Sequence, residues 1–196
     1  MSINHNVPYF NLENNEIEGW RSSGATSAAM CLKYFGVPDL GSMPQYEDDV
    51  KQRFDRLGIA HTTPGGIRRL IEGLGLINNL TMTGGLSDIT RALDSGEICV
   101  LHGYWTNAGH ILVIRGYDDS GNFFVNDPAG EWFYEGYRNN SPYTEDNKGK
   151  NKLYSRRLIS SAGNAYSLRE TLRFYDTWGN DEIESTARMW LHRISK

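Results

Sequence analysis

Apolar positions along the chain change period near Gly96, and that change divides the sequence into two kinds of structure. Before it, the spacing is helical. Ala28, Ala29, Leu32 and Phe35 recur three and four apart behind Thr26 or Ser27, either of which can cap a helix that Gly36 stops. Similar patterns cover 47–57 and 66–74. Another opens with Ser87 as N-cap and Asp88 in the first turn, buries Leu93 and closes at Gly96. After Gly96 the runs favour strands: 98–101, then 110–114. The cluster Asp118-Asp119-Ser120-Gly121-Asn122 is a turn and Phe123-Phe124-Val125 a return strand, so 110–126 reads as a hairpin. Trp132-Phe133-Tyr134 can add a strand, and 138–152 is a polar loop with a functional or mobile character. Ile183, Ala187, Trp190, Leu191 and Ile194 fall on one helical stripe, which predicts a terminal helix. Helices first and strands second predict an α+β domain over 1–196, with a C-terminal extension from about 153.

Composition narrows the function. With 20 Lys plus Arg against 24 Asp plus Glu, the net charge is −4, and no basic surface for nucleic acid is expected. No apolar run reaches the roughly 18 residues of a membrane span. Asn4, Asn6, Asn14, Asn15 and three Glu in the first twenty residues do not make a signal peptide, so a soluble chain is expected. Cys31 and Cys99 cannot form a disulfide framework, and they read as buried, inert thiols. His5, His61, His102 and His192 share no metal-ligand spacing, so neither a metal nor another cofactor is expected.

Candidate chemistry lies at three places. Ser22-Ser23-Gly24-Ala25-Thr26-Ser27 sets Ser23 at a helix mouth, where unpaired N–H groups and the helix dipole stabilise a nucleophile's negative charge. Asn107-Ala108-Gly109-His110 sets His110 at the start of an apolar strand, and Asn126-Asp127-Pro128 ends the return strand. Pairing about the 118–121 turn brings His110 near Asp127 with a register mismatch of about two residues, which twist or a bulge can absorb. Such a carboxylate would fix the imidazole tautomer, with Asn126 the fallback. Trp105 and Tyr104 could line a substrate cleft beside Gly24 and Gly109.

Val7-Pro8-Tyr9-Phe10, then S-G-A-T-S-A-A-M-C-L-K-Y-F-G, then G-H-I-L-V-I-R-G-Y-D, then V-N-D-P-A resemble papain-like cysteine peptidases of the bacteriocin-processing type, over about 7–130. That group includes stand-alone phage and bacterial cell-wall lysins. The resemblance implies a papain-like fold, a helical half plus a twisted antiparallel sheet, with a Ser23–His110–Asp127 triad hydrolysing a peptide bond. It further implies an endolysin-like monomer made in the host cytoplasm and acting on peptidoglycan stem peptides at the cell wall. Two positions depart from the pattern. Ser23 stands where these peptidases carry cysteine, and it reads as an engineered replacement that leaves the enzyme inactive. The glutamine that assists the oxyanion falls near Leu12, which leaves Asn14 and Asn15 as the nearest amides. The competing expectation is a natural pseudo-peptidase that grips a peptide or protein partner without cutting it.

Overall fold

The computed structural model describes residues 2–41, 43–137 and 147–196. The fold is α+β, helices packed on an antiparallel sheet. In chain order its elements are β1 (Ile3–Asn4), α1 (Ser23–Tyr34), α2 (Tyr46–Arg56), α3 (Pro64–Gly73), β2 (Ile77–Gly84), α4 (Leu86–Asp94), β3 (Ile98–Gly103) and β4 (His110–Tyr117). They continue with β5 (Phe123–Asn126), β6 (Trp132–Phe133), β7 (Gly136–Tyr137), β8 (Lys152–Tyr154), α5 (Arg156–Asn164), α6 (Leu168–Thr177), α7 (Asn180–Glu184) and β9 (Met189–Ser195). The main sheet runs β2-β9-β3-β4-β5-β8, with β1 added alongside β4, while β6 and β7 pair separately.

Alternation along β3 and β4 divides the core between two faces. Ile98, Val100, Ile111 and Val113 meet Ala28, Met30, Phe54 and Ile67 from α1, α2 and α3. Cys99, Leu101, Leu112 and Ile114 meet Leu93, Leu158, Ile159 and Ala162 from α4 and α5. Both thiols are wholly buried, and burial pushes both up from their usual range, in keeping with inert cysteines.

The C-terminus differs most from expectation. The predicted terminal helix is absent: α7 stops at Glu184, Ala187 takes a positive φ of 46°, and the chain then enters the sheet as β9. β9 pairs with both β2 and β3, as in Leu80↔His192 and Val100↔His192. A strand covered on both faces carries apolar residues on both, so its alternation is hidden, and Trp190, Leu191 and Ile194 match a helical stripe by coincidence. β2, α5 and α6 were also illegible as separate elements; β2 mixes Asn and Thr into an edge strand and leaves much of its length exposed. Helix starts shift as well. α1 begins at Ser23 with Ser22 as N-cap, ahead of Thr26 and Ser27, and Gly85 rather than Ser87 caps α4. The hairpin is as expected, with a bulge between Ile114 and Gly116. Of the 138–152 loop, 138–146 lie outside the described residues, while the end of the segment turns into β8 at Lys152.

A polar chain crosses three neighbouring strands inside the sheet. Asn78 Oδ1 accepts from His192 Nδ1 at 3.1 Å, which leaves His192 Nε2 to accept from His102 Nε2 at 3.1 Å. Removal from water depresses both imidazoles, His102 to about 4 and His192 to about 3, so both are neutral in the folded protein. The unfolded chain binds protons there below about pH 6.5, and the folded one does not. Stability is therefore full above pH 6.5 and declines as pH falls toward 4. Urea denaturation between pH 7.5 and 5 should show a loss of about 1 kcal/mol per histidine per pH unit below 6.5. A midpoint constant over that interval contradicts the neutral buried pair.

Candidate active site

Three adjoining features open onto one cavity of about 690 Å³: the N-terminus of α1, the junction of β3 with β4, and the entry to β9. Ser23, Gly103, Gly109 and His110 are on its wall, with Leu12, Thr62, Tyr104, Tyr137, Tyr166 and Trp190.

Position 23 is set by the packing of α1. Ser27 Oγ donates to the Ile111 carbonyl at 3.1 Å, which ties the helix to β4. Asn15 Nδ2 donates to Ser22 Oγ at 2.7 Å and Thr26 Oγ1 at 3.0 Å, bracing the helix start from outside. The first-turn N–H groups at Ser23, Gly24 and Ala25 have no intrahelical acceptor, so their positive dipole end is presented at residue 23.

His110 is delivered by a tight turn. Gly109 has φ +79°, its N–H donates to the Thr106 carbonyl at 3.1 Å, and Thr106 Oγ1 donates to the Gly109 carbonyl at 2.8 Å. The imidazole sits between the edges of Trp105 and Tyr137, with ring centroids 6.3 and 5.4 Å away. Its Nε2 lies 2.7 Å from Asp127 Oδ1.

Asp127 has no exposed surface. Its Oδ1 also accepts from the Ala129 N–H at 3.0 Å, and its Oδ2 accepts from the Tyr137 and Tyr154 hydroxyls, each at 2.8 Å. Because every other neighbour donates, the carboxylate accepts from His110 as well. Nε2 therefore carries the ring proton, and Nδ1 remains as the acceptor nitrogen. Burial first, then the Asp127 carboxylate, holds both tyrosine hydroxyls well above their usual range, so they remain donors. Tyr154 is further fixed because its hydroxyl accepts from the Trp132 N–H at 2.8 Å. Tyr9 donates to the Asp127 carbonyl at 3.1 Å and accepts from the Gly149 N–H at 3.1 Å, which closes the chain over the site.

Several expected positions fall elsewhere. Asn126 is not a partner of His110; its Nδ2 donates to the Val7 and Pro8 carbonyls, both at 3.1 Å, anchoring the N-terminal segment. Trp105 is buried beneath His110, and its carbonyl accepts from Trp132 Nε1 at 3.0 Å, so it supports the ring without lining the cleft. Gly24 is not on the wall either; it is packed so closely that a Cβ there would lie 1.9 Å from the His61 carbonyl oxygen. Neither Asn14 nor Asn15 is on the wall: Asn14 is exposed and Asn15 is committed to Ser22 and Thr26. Leu12 does line the cavity. Tyr137, Tyr154 and Arg188 were missed by sequence reasoning. The two tyrosines follow the recognisable motifs with no spacing that ties them to Asp127, and Arg188 was assigned to a helix. Among the described residues, no group of three or more His, Cys, Asp or Glu could hold a metal ion. No helix among them is long and apolar enough to cross a membrane.

Residues 4–157 match the Peptidase_C39 like family. The chain belongs to that family. The match takes in α1, the β4–β5 hairpin, Tyr137 and Tyr154, and it stops short of α6, α7 and β9. No curated protein matches the sequence. Among solved structures, a candidate C39-like peptidase from Bacillus anthracis is similar at 13% identity, with 100% of this chain and 98% of that one covered and a TM-score of 0.52. At that identity the likeness is one of fold. It extends over the whole length of this Peptidase_C39 like chain, beyond the stretch that the family match spans.

The support under Asp127 yields a graded expectation. Tyr154→Phe strands the buried Trp132 N–H and takes one of the two hydroxyl donors from Asp127 Oδ2, and it should cost about 1–3 kcal/mol in urea denaturation. Tyr137→Phe removes a single donor from a partly exposed residue and should cost less. Equal losses from the two variants contradict the bridging role of Tyr154.

Proposed function

We propose that this protein is a peptidase-type amide hydrolase whose cleft binds peptide and whose hydrolytic step is blocked by serine at the nucleophile position. The observation that carries this reading is the His110–Asp127 pair, buried and oriented, facing the same cavity as residue 23 at a helix N-terminus. Peptide-bond hydrolysis there runs as follows. His110 Nδ1 takes the proton from the group at 23, which attacks the scissile carbonyl carbon and forms a tetrahedral adduct. The N–H groups opening α1 stabilise the oxyanion. His110 returns the proton to the leaving amine as the C–N bond breaks, and water then hydrolyses the acyl-enzyme to a carboxylic acid. A thiol suits this sequence because it ionises within reach of an imidazole and a helix dipole. A serine hydroxyl is far less acidic and does not form that ion pair.

The substrate class we assign is a peptide, with the stem peptides of peptidoglycan as the specific candidate and an endolysin-like role at the cell wall. What supports that class is the resemblance to stand-alone lysins together with a cleft walled by Trp20, Tyr104, Tyr166 and Trp190 and bearing Arg21 and Arg188, which suits short, charged peptides. Leu12 favours a second reading. An apolar side chain occupies the wall where the resemblance places an amide donor, as expected of a pseudo-peptidase that only binds.

Ser23→Cys separates the two. Incubated with purified sacculi, the variant should free amino groups, and no reducing sugars, at least 100-fold faster than the Ser23 form. Adding Leu12→Gln should raise the rate further, by up to the 10²–10³ typical of one oxyanion donor, about 3–4 kcal/mol. No released amine from the double variant, on sacculi or on a randomised peptide pool, overturns the hydrolase reading in favour of the binding one.

A further inference from the structure

The cleft extends well past His110, and its far end is built around an arginine whose bonding is incomplete. Arg188 immediately precedes β9 and lines the cavity. Its backbone N–H donates to Asn164 Oδ1 at 2.9 Å, and its guanidinium lies over the Tyr166 ring at 4.8 Å and near Phe174 at 5.8 Å. Both ends of the residue are thus held. A guanidinium has five N–H donors. Among the described residues the acceptor for those of Arg188 is Glu170 Oε1, at a long 3.4 Å, and Nε is buried with no partner.

Nearby arginines are treated differently. Arg157 donates to the carbonyls of Phe174, Tyr175 and Trp178 and to Asn180 Oδ1, and Arg156 makes a two-pronged pair with Glu184 at 2.6 and 2.7 Å. These are structural arginines with their donors used. Glu170, by contrast, divides itself. Its Oε2 accepts from the Tyr166 N–H at 2.7 Å, and its Oε1 is shared with Arg173 at 3.5 Å. It leaves the Arg188 charge under-compensated at its place on the wall, where the other cation, Arg21, lies over the Trp20 ring, and an ionic contact in a part-buried cleft is stronger than in open water. His102 on the same wall is neutral, its imidazole depressed to about 4 by burial, and the cavity's acid, Glu13, is engaged by Lys148.

We propose that Arg188 forms a carboxylate-binding subsite, so that the ligand is a peptide bearing a carboxylate about three residues from the point of attack. The span follows from sheet register. His110 is opposite Gly103, and the β3–β9 register of Leu101↔Leu191 and His102↔Trp190 continues to set Gly103 against Met189, next to Arg188, so the path from β4 across β3 to β9 crosses two inter-strand spacings of about 4.8 Å. About 10 Å is the length of about three extended residues. The planar fork of the guanidinium matches a carboxylate through paired N–H···O bonds. A free C-terminus and an acidic side chain present the same group, and the subsite takes either.

This subsite rests on the peptide-binding reading above, and the test distinguishes their failures. The full chain with Ser23 in place is titrated, by change in its ¹H–¹⁵N spectrum, with three pools of N-acetylated tetrapeptides randomised over neutral residues. One pool ends in a carboxylate, one in a carboxamide, and one in a carboxamide with a single Glu. At least one acidic pool should bind tenfold or more tightly than the neutral amide, and which one does so identifies the source of the carboxylate. Arg188→Gln should bring the acidic pools to the level of the neutral one, while Arg188→Lys, which keeps the charge without the fork, should retain part of the preference. Thermal unfolding of both variants shows whether the Tyr166 stack survives. Equal binding of all three pools overturns the subsite and leaves the cleft standing. Binding of none overturns both.

Discussion

A buried carboxylate has to be surrounded by donors or it cannot stay in the interior, and Asp127 meets that constraint four times over. Much of the architecture around the site can be understood as the means of bringing those donors together. His110 comes from the start of β4, Ala129 from the turn after β5, Tyr137 from β7 and Tyr154 from the end of β8. Each supports the others, because the tyrosine hydroxyls fix the carboxylate, the carboxylate fixes the imidazole proton, and the flanking rings fix the imidazole plane. Each carboxylate oxygen has two donors, so removing one weakens the hold on the other members without emptying the site.

The sheet then decides what this arrangement faces. β9 enters between β2 and β3, so the last residues of the chain lie beside the earliest part of the β-half. The cavity therefore has walls drawn from the α1 start, the β3–β4 junction and the β9 entry, segments far apart in sequence. Ser23 and Arg188 reach this shared wall from opposite halves of the sequence. The polar chain from His102 through His192 to Asn78 passes under the same strands.

How far the sequence could be followed depends on how local the governing physics is. The Gly109–His110 step and the turn at 118–122 impose short-range geometry, so the hairpin and the approach of Asp127 to His110 were accessible, whereas several small polar residues compete for the α1 cap and Ser22 takes it ahead of Thr26 and Ser27. Tyr137 and Tyr154 reach Asp127 only through tertiary folding, and nothing in their spacing announces it. β9 was misread because a strand buried on both faces loses the alternation that identifies strands, and because Ala187 adopts a positive φ that its residue type does not advertise. Asn15 shows the converse difficulty. Its closeness to the helix mouth in sequence suggested an oxyanion donor, but the amide bonds to Ser22 and Thr26 behind the helix start.

Asp127 accepts from His110 Nε2 and so leaves Nδ1 as the acceptor nitrogen of the ring. Long-range ¹H–¹⁵N correlation of the imidazole resonances in the folded protein at neutral pH addresses that directly. A single neutral tautomer with its proton on Nε2, exchanging slowly with water and displaced in Asp127→Asn, is the result expected. A proton on Nδ1, or a ring averaging rapidly between tautomers, contradicts the account.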